Sequence, residues 1–236
     1  MKKILLLLLL LITPCFAGEY NVYRGGAPKA LTQSDEKVLF ILDFSNSMTE
    51  YLDGKSKLEM MMETMRKIIP QIPPETAIGL RVYGHRMGFT PLDSCRATAI
   101  VSPIARNNGK NVLNELSEIK PRGMTPITYS LKQAVKNDFL GVTGKKHIIL
   151  LTDGGENCDE SPCTYAMELI KLRKDISIDV IAFNIDDEDD LAQLECASMV
   201  TSGKFYTANT AAELARSLHN SLNIRKDVEA KIFLGK

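Results

Sequence analysis

Two apolar runs constrain the fold of this chain more than any other feature of its sequence. Val38–Leu42 reads VLFIL and His147–Leu151 reads HIILL, and neither run alternates between apolar and polar residues. A strand with one solvated face alternates, whereas a strand that is buried on both faces is apolar throughout. The two runs therefore predict central strands of a mainly parallel sheet with helices covering both faces.

The rest of the chain alternates between strand-like and helix-like segments. We predict further strands at Ala77–Tyr83, Ala97–Ile104, Ile178–Asn184 and Lys204–Tyr206. We predict helices at about Lys57–Ile69, Asn108–Ile119, Ile127–Asn137, Pro162–Lys174, Asp189–Met199 and Ala211–Asn223.

The order of these segments predicts an α/β fold in one domain, residues 36–224. We expect a doubly wound, mostly parallel six-stranded sheet with one antiparallel edge strand and helices on both faces. The antiparallel pair is expected to be a hairpin, because the short connection from Tyr83 to Ala97 is predicted to hold no helix.

The N-terminus has the pattern of an export signal. Lys2 and Lys3 precede the apolar run Ile4–Ile12, and small residues stand before an expected cleavage after Ala17. This pattern is typical of a secretory signal peptide over residues 1–17. A polar leader is expected at residues 18–35, and a C-terminal tail at residues 225–236.

These features predict an exported protein, either periplasmic or secreted. The apolar run is too short to span a membrane, and no later segment is long enough, so we expect no transmembrane segment in the mature chain. Lipid attachment at Cys15 is the less favoured alternative, because Pro14 immediately before it fits that signal poorly.

Four cysteines follow the expected cleavage position: Cys95, Cys158, Cys163 and Cys196. An even number in an exported chain predicts two disulfides, because the compartments beyond the inner membrane are oxidising. Four cysteines allow three pairings, and the sequence does not choose among them. A zinc site is disfavoured, since close Cys-x-x-Cys pairs and a nearby histidine are lacking.

Carboxylates and hydroxyls follow both apolar runs. Asp43 ends the first run and is followed at alternate positions by Ser45 and Ser47, while Asp153 lies just past the second run. In an open α/β sheet, ligands bind beyond the carboxyl ends of the strands. If the two strands are neighbours, their aspartates converge on one crevice, which Thr125 can reach from the loop RGMTPI. Such oxygen ligands suit a hard divalent cation, and two aspartates leave positions for water or an incoming acidic group.

This set of residues resembles the metal-ion-dependent adhesion site of von Willebrand factor type A domains. The matching motifs are Asp-x-Ser-x-Ser at residues 43–47, Gly-x-Thr-Pro at residues 123–126 and Thr-Asp-Gly at residues 152–154, in the family's order. The chain is also similar to the bacterial exported branch of that family through Gly79–Arg86, Glu156–Cys158 with Pro162-Cys163, and Cys196-Ala197. The resemblance covers about Lys37 to Asn223.

The resemblance implies roles for the five side chains. Ser45, Ser47 and Thr125 would be direct or near-direct ligands, and Asp43 and Asp153 would act partly through water. The implied metal is Mg²⁺, with Mn²⁺ or Ca²⁺ as alternatives. The implied partner is a protein or peptide that offers a carboxylate to the metal.

Each candidate ligand also has a local structural interpretation. Asp43 and Ser45 can bond the backbone at the end of the strand, and Asp153 before a glycine suits a turn. Thr125 before Pro126 can cap a helix that has proline at its first position. Capping and metal ligation by Thr125 compete for the same oxygen.

Two other features near the predicted sheet have simpler interpretations than catalysis or calcium binding. The acidic run Asp186–Asp190 lacks the spacing of a calcium loop and favours a helix start. His85 and Arg86 follow a strand and are expected at the rim of the metal crevice. His85 has no identifiable nucleophile partner, whereas Arg86 can contact an acidic partner.

The leading hypothesis is a non-enzymatic module for adhesion or envelope protein–protein interaction. With 29 basic and 29 acidic residues, the chain has no charge excess that would favour nucleic acid. The enzymatic alternative is a metal-dependent phosphatase with Asp43 as nucleophile, disfavoured because Ser45 stands where haloacid dehalogenase-type enzymes carry a second acidic residue. The third alternative is a structural or assembly protein with a lapsed metal site, and the oligomeric state is left open.

Overall fold

A computed structural model of the chain describes residues 37–158 and 160–223. Its strands are β1 (Lys37–Asp43), β2 (Tyr51–Leu52), β3 (Lys55–Ser56), β4 (Ala77–Tyr83), β5 (Thr98–Ala105), β6 (Lys146–Thr152), β7 (Ile176–Phe183) and β8 (Phe205–Ala208). Six of them form the main sheet, in the order β5-β4-β1-β6-β7-β8. Strands β2 and β3 form a separate antiparallel hairpin, which the sequence did not predict.

Seven α-helices alternate with these strands: α1 (Lys57–Ile68), α2 (Pro91–Ser94), α3 (Gly109–Glu118), α4 (Ile127–Gln133), α5 (Pro162–Leu172), α6 (Glu188–Val200) and α7 (Ala211–Ser221). Short 3₁₀ helices follow β1 at Asn46–Thr49 and α1 at Ile69–Gln71, and a π-helical turn continues α4 at Ala134–Asp138. All described residues belong to one structural unit.

The sheet confirms the predicted fold class. Strand β1 pairs in parallel with β4 on one side and with β6 on the other, while β5 is antiparallel to β4 and forms one edge. The strands that follow β1 in the chain are added first on one side of it and then on the other. The strand order therefore reverses between β1 and β6. The carboxyl ends of these two strands lie side by side.

The connection between β4 and β5 differs from its prediction. The prediction that it holds no helix was wrong, because the one-turn helix α2 lies within it. Thr90 caps this turn by accepting a hydrogen bond from the backbone of Asp93, whose carboxylate in turn accepts one from the Thr90 backbone. Pro91 holds the first helical position, so the turn is stabilised locally despite its length.

Both faces of the central strand β1 are buried, which explains its unbroken apolar run. All seven residues of β1 are buried. Val38, Phe40 and Leu42 lie in a core that α1, α3 and α7 cover, and Leu39 and Ile41 lie in the opposite core under α4, α5 and α6. Full burial of each such side chain contributes roughly 1.5–3 kcal/mol.

The structure pairs the four cysteines as Cys95–Cys158 and Cys163–Cys196. The first bond joins the end of α2 to the loop that follows β6, and the second joins α5 to α6. Both bonds therefore connect segments that are distant in sequence.

The expected signal peptide, leader and C-terminal tail lie outside the described residues. Within residues 37–158 and 160–223, no helix has the length and apolar character that crossing a membrane requires.

Candidate metal centre

Four of the five candidate ligands form one connected group at the carboxyl ends of β1 and β6. The backbone N–H of Ser45 donates to Asp43 Oδ1 at 2.6 Å. The Ser47 hydroxyl donates to Asp153 Oδ1 at 2.7 Å and lies 2.9 Å from the Ser45 hydroxyl. The loop after β1 therefore carries both hydroxyls to the carboxylate that follows β6.

The loop that carries Thr125 is joined to the loop after β1 through the backbone of Gly123. The N–H of Asn46 donates to the carbonyl of Gly123 at 3.1 Å, and Ser45 forms a parallel bridge with Gly123. Thr125 itself is buried and lies two residues further along this loop. Its side chain makes no direct contact with the two serines or the two aspartates among the hydrogen bonds of the described residues.

The prediction that Thr125 caps a helix with Pro126 at its first position was wrong. Helix α4 begins at Ile127, and Pro126 occupies the capping position without a side-chain hydrogen bond. The N–H of Thr125 donates to Asn157 Oδ1 at 2.8 Å, and its hydroxyl lies 3.4 Å from Asn157 Nδ2. The Thr125 oxygen is therefore not used for capping.

Two glycines allow the loops around the crevice to approach closely. Gly84 has a φ of +69°, and a Cβ at this residue would lie about 2.7 Å from the Ser45 Cα. A Cβ at Gly123 would lie 2.6 Å from the carbonyl oxygen of Arg86. Because real Cβ atoms do not approach backbone atoms so closely, these positions require residues without a side chain.

Asp43 is a carboxylate in an environment that disfavours its charge. Its Oδ2 accepts a hydrogen bond from the Tyr83 hydroxyl at 3.0 Å and lies 2.9 Å from the Thr152 hydroxyl. The side chain is fully buried, and this burial together with the negative charge of Asp153 raises the pKa of Asp43 from 3.8 to about 6. Hydrogen bonds from Ser45 and Thr152 act in the opposite direction but are outweighed. A bound cation would relieve this unfavourable charge.

Lys57 is a charged residue of the crevice that the sequence analysis missed. It is the first residue of α1, and its side chain is 8% exposed. The ammonium group donates to Asp153 Oδ2 at 3.1 Å and to Glu50 Oε2 at 2.8 Å. Burial acts to lower the pKa of Lys57, but its interactions with Glu50 and Asp153 raise it overall. Lys57 therefore supplies one fixed positive charge beside Asp153.

The loop after β6 holds the Thr125 segment in place through two further residues. Glu156 accepts hydrogen bonds from the backbone of Thr128 at 2.6 Å and of Cys158 at 3.0 Å, so it satisfies the first turn of α4. Burial raises the pKa of Glu156. Asn157 binds Thr125 as described above, and the Cys95–Cys158 bond anchors the end of this loop. These roles were not predicted from the sequence.

The acidic run before α6 contributes to the same loop. Asp187 caps α6 by accepting a hydrogen bond from the Asp190 backbone, which agrees with the predicted helix start. The Asp190 carboxylate also accepts a hydrogen bond from the N–H of Gly155 at 3.0 Å. One member of the run therefore supports the loop that carries Asp153.

The chemistry of the crevice suits a hard cation better than a soft one. Among the described residues, no three His, Cys, Asp or Glu side chains come together as a possible metal cluster. The available donors are two carboxylates and three hydroxyls: Asp43, Asp153, Ser45, Ser47 and Thr125. Oxygen-only donors suit Mg²⁺, Mn²⁺ and Ca²⁺. Burial first, and the charge of Asp153 second, disfavour the ionised form of Asp43, which a bound cation would stabilise.

Comparison with known proteins gives consistent matches over the whole described domain. The family model described as von Willebrand factor type A domain matches residues 37–220. The uncharacterized protein YwmD of Bacillus subtilis is 30% identical over 231 residues, which are 92% of this chain and 96% of YwmD.

Solved structures resemble the same part of the chain. A von Willebrand factor type A protein from Catenulispora acidiphila has a TM-score of 0.63 at 17% identity, with 80% of this chain and 42% of that chain covered. Proximal thread matrix protein 1 from the mussel byssus, with a zinc-occupied MIDAS motif, has a TM-score of 0.59 at 18% identity, with 80% and 45% covered. This chain thus spans less than half of each of these two solved chains, and the likeness to them concerns the fold.

Proposed function

The chain belongs to the von Willebrand factor type A domain family. We propose that its crevice binds a divalent cation to which a protein partner adds a carboxylate. Domains of this family commonly serve as protein-interaction modules. Asp43, Ser45, Ser47, Thr125 and Asp153 would hold the metal. When bound, the cation would supply a Lewis-acidic point of attachment for a carboxylate oxygen.

The observation that carries this proposal is the charge balance of the crevice. Asp43 and Asp153 share the crevice with one buried cation, Lys57, and Glu50 on the other side of Lys57 is 63% exposed to solvent. The buried groups therefore sum to one negative charge. A divalent cation would change that sum to one positive charge, and one carboxylate from a partner would neutralise it.

Mg²⁺ is the metal that we propose, with Mn²⁺ and Ca²⁺ as alternatives. The oxygen-only donor set supports a hard cation. The zinc-occupied site of the mussel protein supports metal binding at this position of the fold more generally.

We propose that the protein is not an enzyme. The burial of Asp43 supports this, because both of its carboxylate oxygens are engaged by Ser45, Tyr83 and Thr152. A nucleophilic aspartate needs an oxygen that can approach a phosphorus atom. Phosphate release from an aryl phosphate that Asp43→Asn abolishes would support the phosphatase alternative instead.

We also propose that the protein works outside the cytoplasm, in the periplasm or as a secreted protein. The two disulfides support this, because such bonds persist in oxidising compartments. The expected signal peptide is consistent with it. Detection of the processed chain in a periplasmic or culture-medium fraction tests this part of the proposal.

Metal-dependent recognition of a single carboxylate tests the proposed function. The probe is a short capped Gly/Ser peptide with one aspartate, titrated into the purified protein by NMR with excess Mg²⁺ or with chelator. The matched control is the same peptide with asparagine in place of aspartate. We expect shifts in the loop after β1 only for the aspartate peptide and only with Mg²⁺.

Two outcomes would contradict the proposal. Equal binding of the aspartate and asparagine peptides would show that the protein does not recognise the carboxylate. Unchanged binding in chelator or in Asp43→Asn would favour a structural or assembly protein whose metal site has lapsed.

A further inference from the structure

A groove of about 710 Å³ opens beside the metal crevice on the same face of the domain. It begins at Asn46, the residue between the two candidate serine ligands, and runs between the loops that follow β4 and α3. The backbone N–H of Arg122 donates to the carbonyl oxygens of Gly84 at 2.9 Å and Phe44 at 3.2 Å. These bonds fix the groove to the loop that carries the metal ligands.

The groove has an excess of positive charge. Arg86, Lys120 and Arg122 line it and are exposed, whereas Glu118 is its one acidic lining residue. None of the three cations forms an ion pair within residues 37–158 and 160–223. The chain as a whole has no net charge, so this local excess is a property of the site.

His85 adds a polar group that lacks a partner. It lines the same groove, and its Nδ1 is shielded from solvent without a hydrogen-bond partner in the described part of the chain. Burial, with the charge of Arg86, lowers the pKa of His85. His85 therefore lines the groove as an uncharged side chain near neutral pH.

Apolar side chains stand at the edge of the groove. Met87 lines it and is 71% exposed, and Phe89 on the same loop is fully exposed. Exposed apolar side chains next to a charged groove are typical of a protein-binding surface, because a partner can bury them while its charges are matched.

We propose that this groove receives a second carboxylate of the partner whose first carboxylate binds the metal. The partner segment is then an extended peptide with two nearby acidic side chains, flanked by an apolar residue. Arg86 and Arg122 are the residues that recognise the second carboxylate, since a guanidinium can bind it with two hydrogen bonds. The inference rests on the proposed function and adds the class of partner sequence.

A series of capped Gly/Ser peptides tests the inference. One peptide carries a single aspartate, and the others carry a second aspartate two, three or four residues later. An extended peptide rises ~3.3 Å per residue, so the series samples roughly 7–13 Å. Affinities are measured by NMR titration with excess Mg²⁺, using wild type, the double variant Arg86→Gln/Arg122→Gln and the control Arg216→Gln. Arg216 is exposed on α7.

We expect the best two-aspartate peptide to bind wild type and Arg216→Gln about tenfold more tightly than the one-aspartate peptide. In Arg86→Gln/Arg122→Gln this advantage should disappear, while binding of Mg²⁺ and of the one-aspartate peptide stays unchanged. The unchanged metal binding shows that the variant is folded.

The possible failures are distinguishable. If neither peptide binds the Mg²⁺-loaded protein, the proposed function is contradicted and the inference with it. If both bind wild type equally, or if the double variant keeps the two-aspartate advantage, only the inference is overturned. If inorganic phosphate displaces the two-aspartate peptide but not the one-aspartate peptide, the groove is assigned to a phosphorylated partner, and the inference is overturned.

Discussion

Asp43 and Asp179 are both buried carboxylates of the central sheet, yet their surroundings differ in one decisive respect. Asp43 ends β1 and interacts with the Ser45 backbone and with the hydroxyls of Tyr83 and Thr152. Burial, together with the negative charge of Asp153, raises the pKa of Asp43 to about 6.

Asp179 lies in the middle of β7 with a similar number of partners. Its carboxylate accepts hydrogen bonds from the backbone of Lys204 at 2.9 Å and from the Ser221 hydroxyl at 2.7 Å. Here the third partner is His147, whose Nε2 lies 3.1 Å away. Burial acts to raise the pKa of Asp179, but these partners, His147 foremost, lower it overall.

Asp43 and Asp179 thus have similar numbers of hydrogen-bond partners, and the charged or chargeable residue beside each differs: Asp153 beside Asp43 and His147 beside Asp179. Asp179 is paired within the sheet, and its pKa is lowered. The Asp43 crevice carries negative charge that its own lysine does not fully balance, and it lies where the strand order switches.

Removing the structural carboxylate should have the largest effect on stability. Asp179→Ala leaves the His147 ring and the Ser221 hydroxyl without their shared acceptor, so we expect a loss of ~3–5 kcal/mol in the free energy of unfolding. Urea denaturation followed by circular dichroism measures it, since the chain has no tryptophan. Mg²⁺ affinity should stay unchanged. A loss below ~1 kcal/mol would show that the contacts of Asp179 with His147, Ser221 and Lys204 contribute little to stability.

The two carboxylates should give opposite dependences of stability on pH in the metal-free protein. A carboxyl group whose pKa is raised on folding stabilises the folded protein fully at pH values below its unfolded pKa of 3.8. This contribution is lost as the pH rises through the folded pKa of about 6. For Asp43 the loss amounts to about 3 kcal/mol. For Asp179, with a lowered pKa, stability is instead lost as pH falls through its folded value.

Urea denaturation in chelator between acidic and neutral pH measures the effect of Asp43. Relative to Asp43→Asn, wild type should lose stability as pH rises through about 6, and saturating Mg²⁺ should remove most of this loss. A parallel pH dependence of the two proteins would contradict the uncompensated charge assigned to Asp43.

Asn157 connects the crevice to the loop after β6, and its removal should weaken metal binding moderately. Asn157→Ala removes the acceptor for the Thr125 backbone, and loss of such supporting contacts typically costs 10–100-fold in metal affinity. Asn157→Asp keeps the acceptor and should retain most of the affinity. Mg²⁺ titration calorimetry compares the three proteins. An unaffected Asn157→Ala would show that Thr125 is positioned without this contact.

Removal of Lys57 should shift the affinities for Mg²⁺ and for the one-aspartate peptide in opposite directions. Lys57→Gln makes the crevice more negative, so Mg²⁺ should bind about tenfold more tightly. The metal-loaded site then carries less positive charge, so the one-aspartate peptide should bind more weakly. Parallel titrations with Mg²⁺ and with peptide measure both. If both affinities fall together, Lys57 acts as a structural support for Asp153 and not as a charge.

Much of the fold could be predicted from sequence because the signals are local. The unbroken apolar runs of β1 and β6 indicate strands buried on both faces, and the structure confirms this for both. The position of Asp43 and Asp153 next to these runs follows from the same signal. The short helix α2 was missed because four residues carry little periodicity, although Thr90 and Asp93 form a recognisable capping pair.

The parts that could not be predicted depend on contacts between distant residues. Lys57 and Asp153 are 96 residues apart, and nothing in the sequence around Lys57 indicates a buried ion pair. The capping role expected for Thr125 failed for a similar reason, because Glu156 from another loop satisfies the first turn of α4. The disulfide pairing likewise required the arrangement of loops.

A calorimetric titration of the purified, chelator-treated protein with Mg²⁺ tests whether the crevice binds a divalent cation. We expect one Mg²⁺ per chain in wild type and in Asp189→Asn, a control at an exposed carboxylate of α6. Asp43→Asn should lose about 100-fold in affinity, because it removes one of the two buried negative charges that would hold the cation. Absence of binding in wild type, or equal binding by Asp43→Asn, would contradict the proposed metal site.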